Sequence, residues 1–249
     1  MPYGVYLSAS GAHAQSHRMQ VLSNNLANVD TPGFKPQSTV LQSRFAEMIE
    51  NGTDPPNLGG AADIGGGVTI SPTETSFDIG AIKQTGNQTD FSIGDATSFF
   101  VVGRGNEQLL TRAGNFVFDK SGTMVTQRGD AVLSTEGVPI QIDPTQPYQV
   151  APGGVIQQGD NRQSLMLAKP RQRGDLAHTD ENHFRPLAAT DLVLPKDRRV
   201  QSGSLEQSAV KPTAAMMELV ETSRVYEANV RMIQNQDTVM GSLISKMLR

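Results

Sequence analysis

Apolar side chains recur at alternating intervals of three and four residues along the C-terminal stretch, residues 213–249. The positions on this seam are Met216, Leu219, Ser223, Tyr226, Val230, Ile233, Asp237, Met240, Ile244 and Met247. Only Ser223 and Asp237 interrupt its apolar character, and no proline follows Pro212. The spacing predicts one long helix with a single apolar stripe.

A second seam with the same spacing lies near the N-terminus. Its positions are Val5, Ala9, Ala12, Ser16, Met19, Ser23 and Leu26. They predict a helix over residues 3–28, which ends before the turn signal Thr31-Pro32-Gly33. A helix with one apolar stripe has to bury it, so we expect the two ends of the chain to pack on each other as a coiled coil. The fold class expected is therefore α+β, with a mainly-β region inserted between terminal helices.

Between the helices the period of the pattern changes. Residues 40–50 are predicted to form a short amphipathic helix, and the Pro- and Gly-rich residues 51–67 a flexible linker. From Val68 the period becomes two, which is typical of short strands. The predicted strands are Val68–Ile70, Phe91–Ile93, Phe99–Val102, Leu109–Thr111, Phe116–Phe118, Met124–Thr126, Val132–Leu133, Ile140–Ile142, Val155–Ile156 and Leu165–Leu167. The segment Asp119-Lys120-Ser121-Gly122 should close a hairpin, and residues 169–200 are expected to be a solvated, charged loop region.

Composition excludes several classes of function. The formal net charge is −4 with a pI near 5.6, which argues against nucleic-acid binding, since phosphate recognition requires a basic surface. The chain has no cysteine, which excludes disulfides, thiolate metal sites and cysteine nucleophiles. The longest strongly apolar run is Phe99-Phe100-Val101-Val102, so no membrane span is expected, and no cleaved signal peptide is recognisable at the N-terminus.

Histidines are the remaining candidates for chemistry near neutral pH. His13 and His17 have the one-turn spacing of metal ligands on a helix, but no HExxH pattern accompanies them. The segment from His178 to His183 is the densest ionisable cluster, and a solvent-exposed polar loop is the favoured interpretation. Nucleophile-elbow, phosphate-loop and dinucleotide fingerprints are absent from the sequence. We therefore expect no enzymatic activity, no cofactor and no metal.

Three asparagines, Asn24, Asn25 and Asn28, lie off the N-terminal seam. Such a group of amides forms either a solvated face or hydrogen-bonding contacts to another chain. The residues alone leave both interpretations open.

Three segments carry a resemblance to a known family. Residues 22–35, Leu-Ser-Asn-Asn-Leu-Ala-Asn-Val-Asp-Thr-Pro-Gly-Phe-Lys, resemble the N-terminal signature of bacterial flagellar rod and hook proteins. Residues 111–116, Thr-Arg-Ala-Gly-Asn-Phe, resemble the core motif of that family's middle domain. Residues 226–229, Tyr-Glu-Ala-Asn, followed by Asp237, resemble the signature of the family's C-terminal helix. The family's turn glycine before the paired Phe is replaced by Thr97-Ser98, and Pro212 stands where a polar residue is usual.

The resemblance implies a structural subunit of the basal-body rod, of the proximal or distal rod subgroup, that acts in motility. It implies terminal helices in the core of a tubular assembly, a β-rich outer part, and export through the flagellar type III apparatus without a cleaved signal. Its partners would be other copies and homologous rod or hook subunits, with no nucleic acid, membrane insertion or small-molecule substrate. The expected regions are 1–35 (N-terminal helix), 36–67 (short helix and linker), 68–200 (β-rich domain) and 201–249 (linker and C-terminal helix). The expected subunit-interface residues are Asn24, Asn25, Leu26, Asn28, Tyr226, Asn229, Val230, Ile233, Asp237 and Met240.

Assembly is expected to proceed by coupled folding and helical polymerisation of the terminal helices. The alternatives are a hook-like flagellar subunit, a secreted or periplasmic binding module without catalysis and, third, an enzyme.

Overall fold

A computed structural model describes residues 3–43, 66–105, 107–180 and 182–247. Its two long helices lie at the chain ends with strands between them, which confirms the α+β class. The chain divides into two compact units. The helical unit comprises Met1–Ala27, Gln37–Ser76 and Lys211–Arg249, and the β unit comprises Asn28–Pro36 and Phe77–Val210.

Among its described residues, the helical unit contains two helices and four short strands. Helix α1 is Tyr3–Ala27 and α2 is Pro212–Met247, and the strands are β1 (Gln37–Ser38), β2 (Leu41–Ser43), β3 (Val68–Ile70) and β4 (Glu74–Thr75). Pro212 is the first residue of α2, a position where its missing N–H costs nothing. Strand β1 pairs with β4 and β2 with β3, both antiparallel.

Helices α1 and α2 lie side by side and antiparallel. Gly4 of α1 lies against the Gln236 side chain, and Gly11 lies against Asn229. Farther along, Arg18 forms an ion pair with Glu218. The expectation that the two ends of the chain pack on each other is therefore correct, whereas a supercoiled pair stays a prediction.

The side of α2 that faces α1 differs from the predicted seam. Its buried and half-buried positions include Ala215, Leu219, Thr222, Tyr226, Asn229, Ile233 and Gln236. The predicted Leu219, Ser223, Tyr226, Val230 and Ile233 are half-buried, but Thr222, Asn229 and Gln236 are buried or half-buried as well, and Met216 is exposed. The cause is α1, whose glycines leave room for amide side chains: a Cβ at Gly11 would lie 3.2 Å from Asn229 Oδ1. On α1, the predicted seam positions are buried or half-buried except Ala9 and Ser23, which are exposed.

The β unit is built from sixteen short strands within the described residues. They are β5 (Ile82–Gln84), β6 (Phe91–Ile93), β7 (Phe99–Arg104), β8 (Glu107–Thr111), β9 (Val117–Phe118), β10 (Met124–Val125), β11 (Ala131–Val132), β12 (Gln149–Ala151), β13 (Val155–Gln158), β14 (Asn161–Ser164), β15 (Leu167–Pro170), β16 (Leu176–Asp180), β17 (His183–Pro186), β18 (Thr190–Leu192), β19 (Val200–Ser202) and β20 (Ser204–Glu206). Nine of them form one antiparallel sheet in the order β16-β17-β8-β7-β11-β10-β9, with β15 joining β7 to β18. The rest form the sheet β12-β13-β14 and the pairs β19-β6 and β20-β5.

Strand β7 carries the core on both of its faces. Phe100 and Val102 belong to one buried apolar cluster, whereas Phe99 and Val101 belong to another. Successive side chains of a strand point to opposite faces, so the apolar run Phe99-Phe100-Val101-Val102 is buried because both faces of the sheet are covered. The predicted hairpin at residues 119–122 is confirmed by the pairing of Met124 with Phe118.

Three predictions about the middle of the chain were wrong. Residues 169–200 are not a loop region, because β16 and β17 form a hairpin that extends the main sheet and β18 pairs with β15. Residues 140–142 do not form a strand, and Gln141 alone among them forms an isolated bridge, with Thr123. The predicted helix over 40–50 begins in strand β2, and its remainder, like most of the predicted linker, lies outside the described residues.

Candidate functional site

Three ionised side chains meet in the interior of the β unit. Lys35, Arg112 and Glu206, hereafter the ion cluster, are each only 1% exposed. Lys35 Nζ donates to Glu206 Oε1 over 2.6 Å, and Arg112 Nε lies 3.4 Å from Glu206 Oε2. The carboxylate thus lies between two cations. Charges of this kind are buried in proteins only when they are paired.

Backbone groups complete the surroundings of the ion cluster. The Gly80 N–H donates to Glu206 Oε1 over 3.0 Å, and Lys35 Nζ also donates to the Asp78 carbonyl. Arg112 Nη1 donates to the Ser98 carbonyl over 2.8 Å, and its guanidinium lies 5.4 Å from the centre of the Phe99 ring. Burial lowers the pKa of Lys35 and of Arg112, and Glu206 opposes that shift in both. Glu206 is therefore the carboxylate that both cations share, with smaller attractions from Asp78 to Lys35 and from Asp95 to Arg112.

The ion cluster joins the segment that follows α1 to the segment that precedes α2. The Gly33 N–H donates to the Glu206 carbonyl over 2.8 Å, and the Ala209 N–H to the Phe34 carbonyl over 3.1 Å. Gly33 has a φ of 68°, and a Cβ there would lie 2.4 Å from the Arg112 carbonyl carbon. Glycine is required for both reasons. The first and last parts of the β unit are thereby held together at one point.

The turn that precedes β7 is organised by Asp95. Its Oδ2 accepts hydrogen bonds from the backbone and hydroxyl groups of Thr97 and from those of Ser98. These bonds lower the pKa of Asp95 against the opposing effect of burial. At Thr97-Ser98, where the related motif has glycine, side-chain hydrogen bonds therefore fix the turn.

The predicted interface asparagines occupy different environments. Asn25 is 5% exposed, its Nδ2 donates to the Gln37 carbonyl over 2.7 Å, and its Oδ1 accepts from the Gln37 N–H over 3.0 Å. Asn28 is buried in the β unit and accepts from the Thr31 hydroxyl, whereas Asn24 is exposed. Asn25 thus connects α1 to β1 within one chain, and its contact with another subunit stays a prediction.

The other predicted interface residues also divide into two groups. Leu26 of α1 and Tyr226, Asn229, Val230 and Ile233 of α2 are half-buried. Asp237 and Met240 are exposed, because α2 continues past the point where Gly4 of α1 meets Gln236.

A second charged group surrounds His183. Arg104 donates twice to Asp130 over 2.8 Å and once to Asp180 over 2.7 Å, and His183 Nε2 lies 3.5 Å from Asp130 Oδ2. His183 is 4% exposed, so its predicted position in a solvated loop was wrong, because β17 lies against β8. Burial lowers the pKa of His183, although the Asp130 carboxylate opposes the shift.

Of the N-terminal histidines, His13 is exposed and His17 half-buried on α1. Among the described residues, no group of three or more His, Asp or Glu side chains is arranged to hold a metal ion. The described helices also include none long and apolar enough to cross a membrane.

The ion cluster was not predicted, although two of its residues lie in recognised segments. Lys35 ends the N-terminal signature, Arg112 lies inside the middle motif, and Glu206 precedes α2. The available signal was a charged residue within two of the signature segments, Lys35 and Arg112. Their pairing could not be inferred from the sequence, since Lys35 and Glu206 are 171 positions apart.

Family comparisons match the same three regions. Residues 6–35 match the family described as flagella basal body rod protein, residues 95–158 the flagellar hook protein FlgE/F/G D1 domain, and residues 201–246 the flagellar basal body rod FlgEFG protein C-terminal region. Each matched region contributes one member of the ion cluster.

Individual rod-protein relatives are similar in sequence over nearly the whole chain. The flagellar basal-body rod protein FlgF of Caulobacter vibrioides is 28% identical, over 99% of this chain and 98% of the relative. The rod protein FlgG of Bacillus subtilis is also 28% identical, over 97% of both chains. The hook protein FlgE of Treponema pallidum is 35% identical over 50% of this chain, which covers 27% of that relative. With matching regions at both ends and in the middle, the chain belongs to the flagellar rod and hook protein family.

Proposed function

We propose that this chain is a structural subunit of the bacterial flagellar basal-body rod, and that its terminal helices join it to neighbouring subunits. The observation that carries the proposal is the match over nearly the full length of both chains to relatives named as rod proteins. The helix pair supports it, because α2 exposes apolar residues along most of its length. In this role the protein contributes shape and contact surfaces and catalyses no reaction.

Assembly would proceed through completion of the helical unit on contact with neighbours. Thr222 Oγ1 and Gln236 Oε1 are buried without a hydrogen-bond partner on the side of α2 that faces α1. Each such group lowers stability, so the helix pair alone is weakly stable. Packing against further subunits would supply the missing stabilisation, which couples folding to polymerisation.

Complementation of a deletion strain tests the proposal. The wild-type chain should restore motility and be present in purified basal bodies, whereas Ile233→Asp should be absent from them while its β unit stays folded. The reason is that Ile233 lies on the α1-facing side of α2, where a carboxylate would be buried without a partner. Full motility in the deletion strain, or absence of the wild-type chain from basal bodies, would refute the rod assignment.

Limited proteolysis tests the assembly mechanism separately. Loss of both helices from the purified monomer, with survival of a fragment near residues 77–210, would support folding on assembly. Protection of both helices would show that the pair is already stable in the monomer.

A hook-like subunit is the second candidate, because the highest identity quoted above is to a hook protein. The location of the chain distinguishes the two functions: a rod subunit remains in basal bodies from which hooks have been removed, and a hook subunit does not.

A further inference from the structure

Strand β18 forms an open edge of the main sheet. It pairs with β15 on one side, and no described strand pairs with its other side. The Val193 N–H donates to the Leu167 carbonyl over 2.9 Å, so the preceding residue, Leu192, directs its own N–H and C=O groups away from β15. An edge of this kind can pair with a strand from another chain.

A cavity of about 340 Å³ lies beside this edge. Its lining includes Leu192, Val193 and Leu194 from β18 and the residues after it, together with Pro152 and Val155 from the β12-β13 hairpin. Leu192 and Leu194 are 57% and 55% exposed. Exposed apolar side chains around a concavity are typical of a surface that binds another molecule. We call β18 and this cavity together the edge site.

Arg198 is the only charged residue among those that line the cavity. Its Nε is buried and, in the part of the chain that the structure describes, has no hydrogen-bond partner. Burial lowers the pKa of Arg198 without the opposing carboxylate that Glu206 provides for Arg112. Buried cationic groups in proteins are normally paired, so this guanidinium favours a ligand that brings a carboxylate.

These three features specify the chemistry of a ligand. An open strand edge binds an extended peptide through main-chain hydrogen bonds, and an adjoining cavity accepts one of its side chains. The apolar lining suits an aliphatic side chain, and the Arg198 guanidinium can donate to a carboxylate. A free aliphatic acid would use the cavity and Arg198 but would leave the strand edge unpaired.

We propose that the edge site binds an extended peptide segment of a partner protein, in which an aliphatic residue is closely followed by Asp or Glu. The segment would add to the sheet beside β18, with its aliphatic side chain in the cavity and its carboxylate on Arg198. The proposal concerns the β unit alone and does not depend on the rod assignment.

Two synthetic peptides, titrated into the isotope-labelled full chain, test the proposal by nuclear magnetic resonance. They are acetyl-Thr-Val-Thr-Leu-Glu-Thr-amide and acetyl-Thr-Val-Thr-Leu-Thr-Glu-amide, which differ in the position of the carboxylate. At least one should shift the amide signals of Leu192 and Val193, with a dissociation constant below about 1 mM. Replacement of the peptide's Glu by Gln should weaken binding about tenfold, because a charge-assisted hydrogen bond is lost.

Methylation of the peptide backbone tests strand addition separately. Alternate amides of an added strand donate to the edge, so methylation of the leucine nitrogen or of the preceding threonine nitrogen, one at a time, should abolish binding in one case only.

Arg198→Gln, compared with Arg199→Gln, tests the role of the guanidinium. Both variants remove one positive charge at neighbouring positions, but Arg199 is exposed and does not line the cavity. Arg198→Gln should bind the peptide about tenfold more weakly, whereas Arg199→Gln should bind it as the wild type does. The thermal midpoint of Arg198→Gln should not fall, because this cation has no partner to lose among the described residues.

Absence of binding by both peptides, or equal binding by the two arginine variants, would overturn the proposal. If sodium hexanoate bound as tightly as the peptides and neither methylation weakened them, the cavity would be a site for a small carboxylate and the peptide would be refuted. Self-association of the chain that Arg198→Gln abolishes would refute a separate partner and identify a second copy as the occupant.

Discussion

Replacement of Glu206 by Gln tests the ion cluster most directly. The substitution preserves the size of the side chain and an oxygen that can accept from the Gly80 N–H. It removes the negative charge that lies 2.6 Å from Lys35 Nζ and 3.4 Å from Arg112 Nε. Two buried cations would then face each other without a carboxylate between them.

The expected loss in the free energy of unfolding follows from the burial of the ion cluster. Removal of one partner from a buried ion pair costs about 3–5 kcal/mol, because the remaining charge stays desolvated. Glu206→Gln leaves two such charges, so we expect a loss at the upper end, about 5 kcal/mol. The free energy of unfolding falls by about 1–3 kcal/mol for each molar of urea, so this loss should lower the urea concentration at the unfolding midpoint by roughly 2 M or more.

Lys35→Met should cost less, although it also removes a buried charge. Glu206 would keep Arg112 as its counter-ion, and the methionine would occupy much of the volume of the lysine chain. The balance of one cation and one anion is retained, so we expect roughly half the loss of Glu206→Gln. This order of the two variants is specific to a carboxylate shared by two cations.

Equilibrium urea unfolding at pH 7, followed by far-ultraviolet circular dichroism and tyrosine fluorescence in a chain where Tyr3, Tyr6 and Tyr226 are replaced by Phe, measures both variants. Tyr148 packs on Phe118 inside the β unit and so reports its unfolding. Glu107→Gln is the matched control, because Glu107 pairs with Arg185 over 3.0 Å at the surface, where an ion pair contributes about 0–1 kcal/mol. Equal losses for Glu206→Gln and the control, or a larger loss for Lys35→Met, would refute the proposed charge balance.

Three further predictions concern other parts of the chain. Asn25→Asp should lower the helical unit's thermal midpoint, because a carboxylate cannot donate to the Gln37 carbonyl, whereas Gln20→Glu at an exposed position of the same helix should change it little; equal shifts would contradict this. Burial lowers the pKa of His183 below its usual value near 6.5, so the folded chain binds this proton less readily than the unfolded chain, and the β unit should lose stability as the pH falls below about 6.5. His183→Gln should flatten urea midpoints between pH 7.5 and 5, and an unchanged slope would exclude His183 as the cause. Asp95→Ala should cost about 1–3 kcal/mol by urea unfolding, because buried donors lose their acceptor, and a loss below about 0.5 kcal/mol would remove its role in the turn.

The sequence predicts the elements well where a local pattern dominates. The 3.6-residue period and Pro32-Gly33 located α1, and the apolar run that begins at Phe99 located β7. Strands such as β16 and β17 were missed because they are short and carry charged residues. Their stability derives from pairing with β8, which no local pattern reveals.

The orientation of the helices and the ion cluster escaped prediction for a related reason. A heptad pattern indicates which residues are apolar, but Gly4 and Gly11 determine which side of α2 can approach α1 closely. The contact of Asn25 with its own chain was not predicted, because its partner is the backbone of Gln37 and a sequence pattern does not show backbone hydrogen bonds.

The long separation between Lys35 and Glu206 has a consequence for the order of folding. Closing a loop between residues 171 positions apart costs more chain entropy than forming a local hairpin, and such contacts form late. A chain that emerges from a ribosome or a narrow channel with its N-terminus first presents Lys35 and Arg112 long before Glu206. The ion cluster in the interior of the β unit therefore cannot form until almost all of the chain that precedes α2 has emerged. Until then, Lys35 and Arg112 lack the Glu206 carboxylate with which they pair in the folded unit.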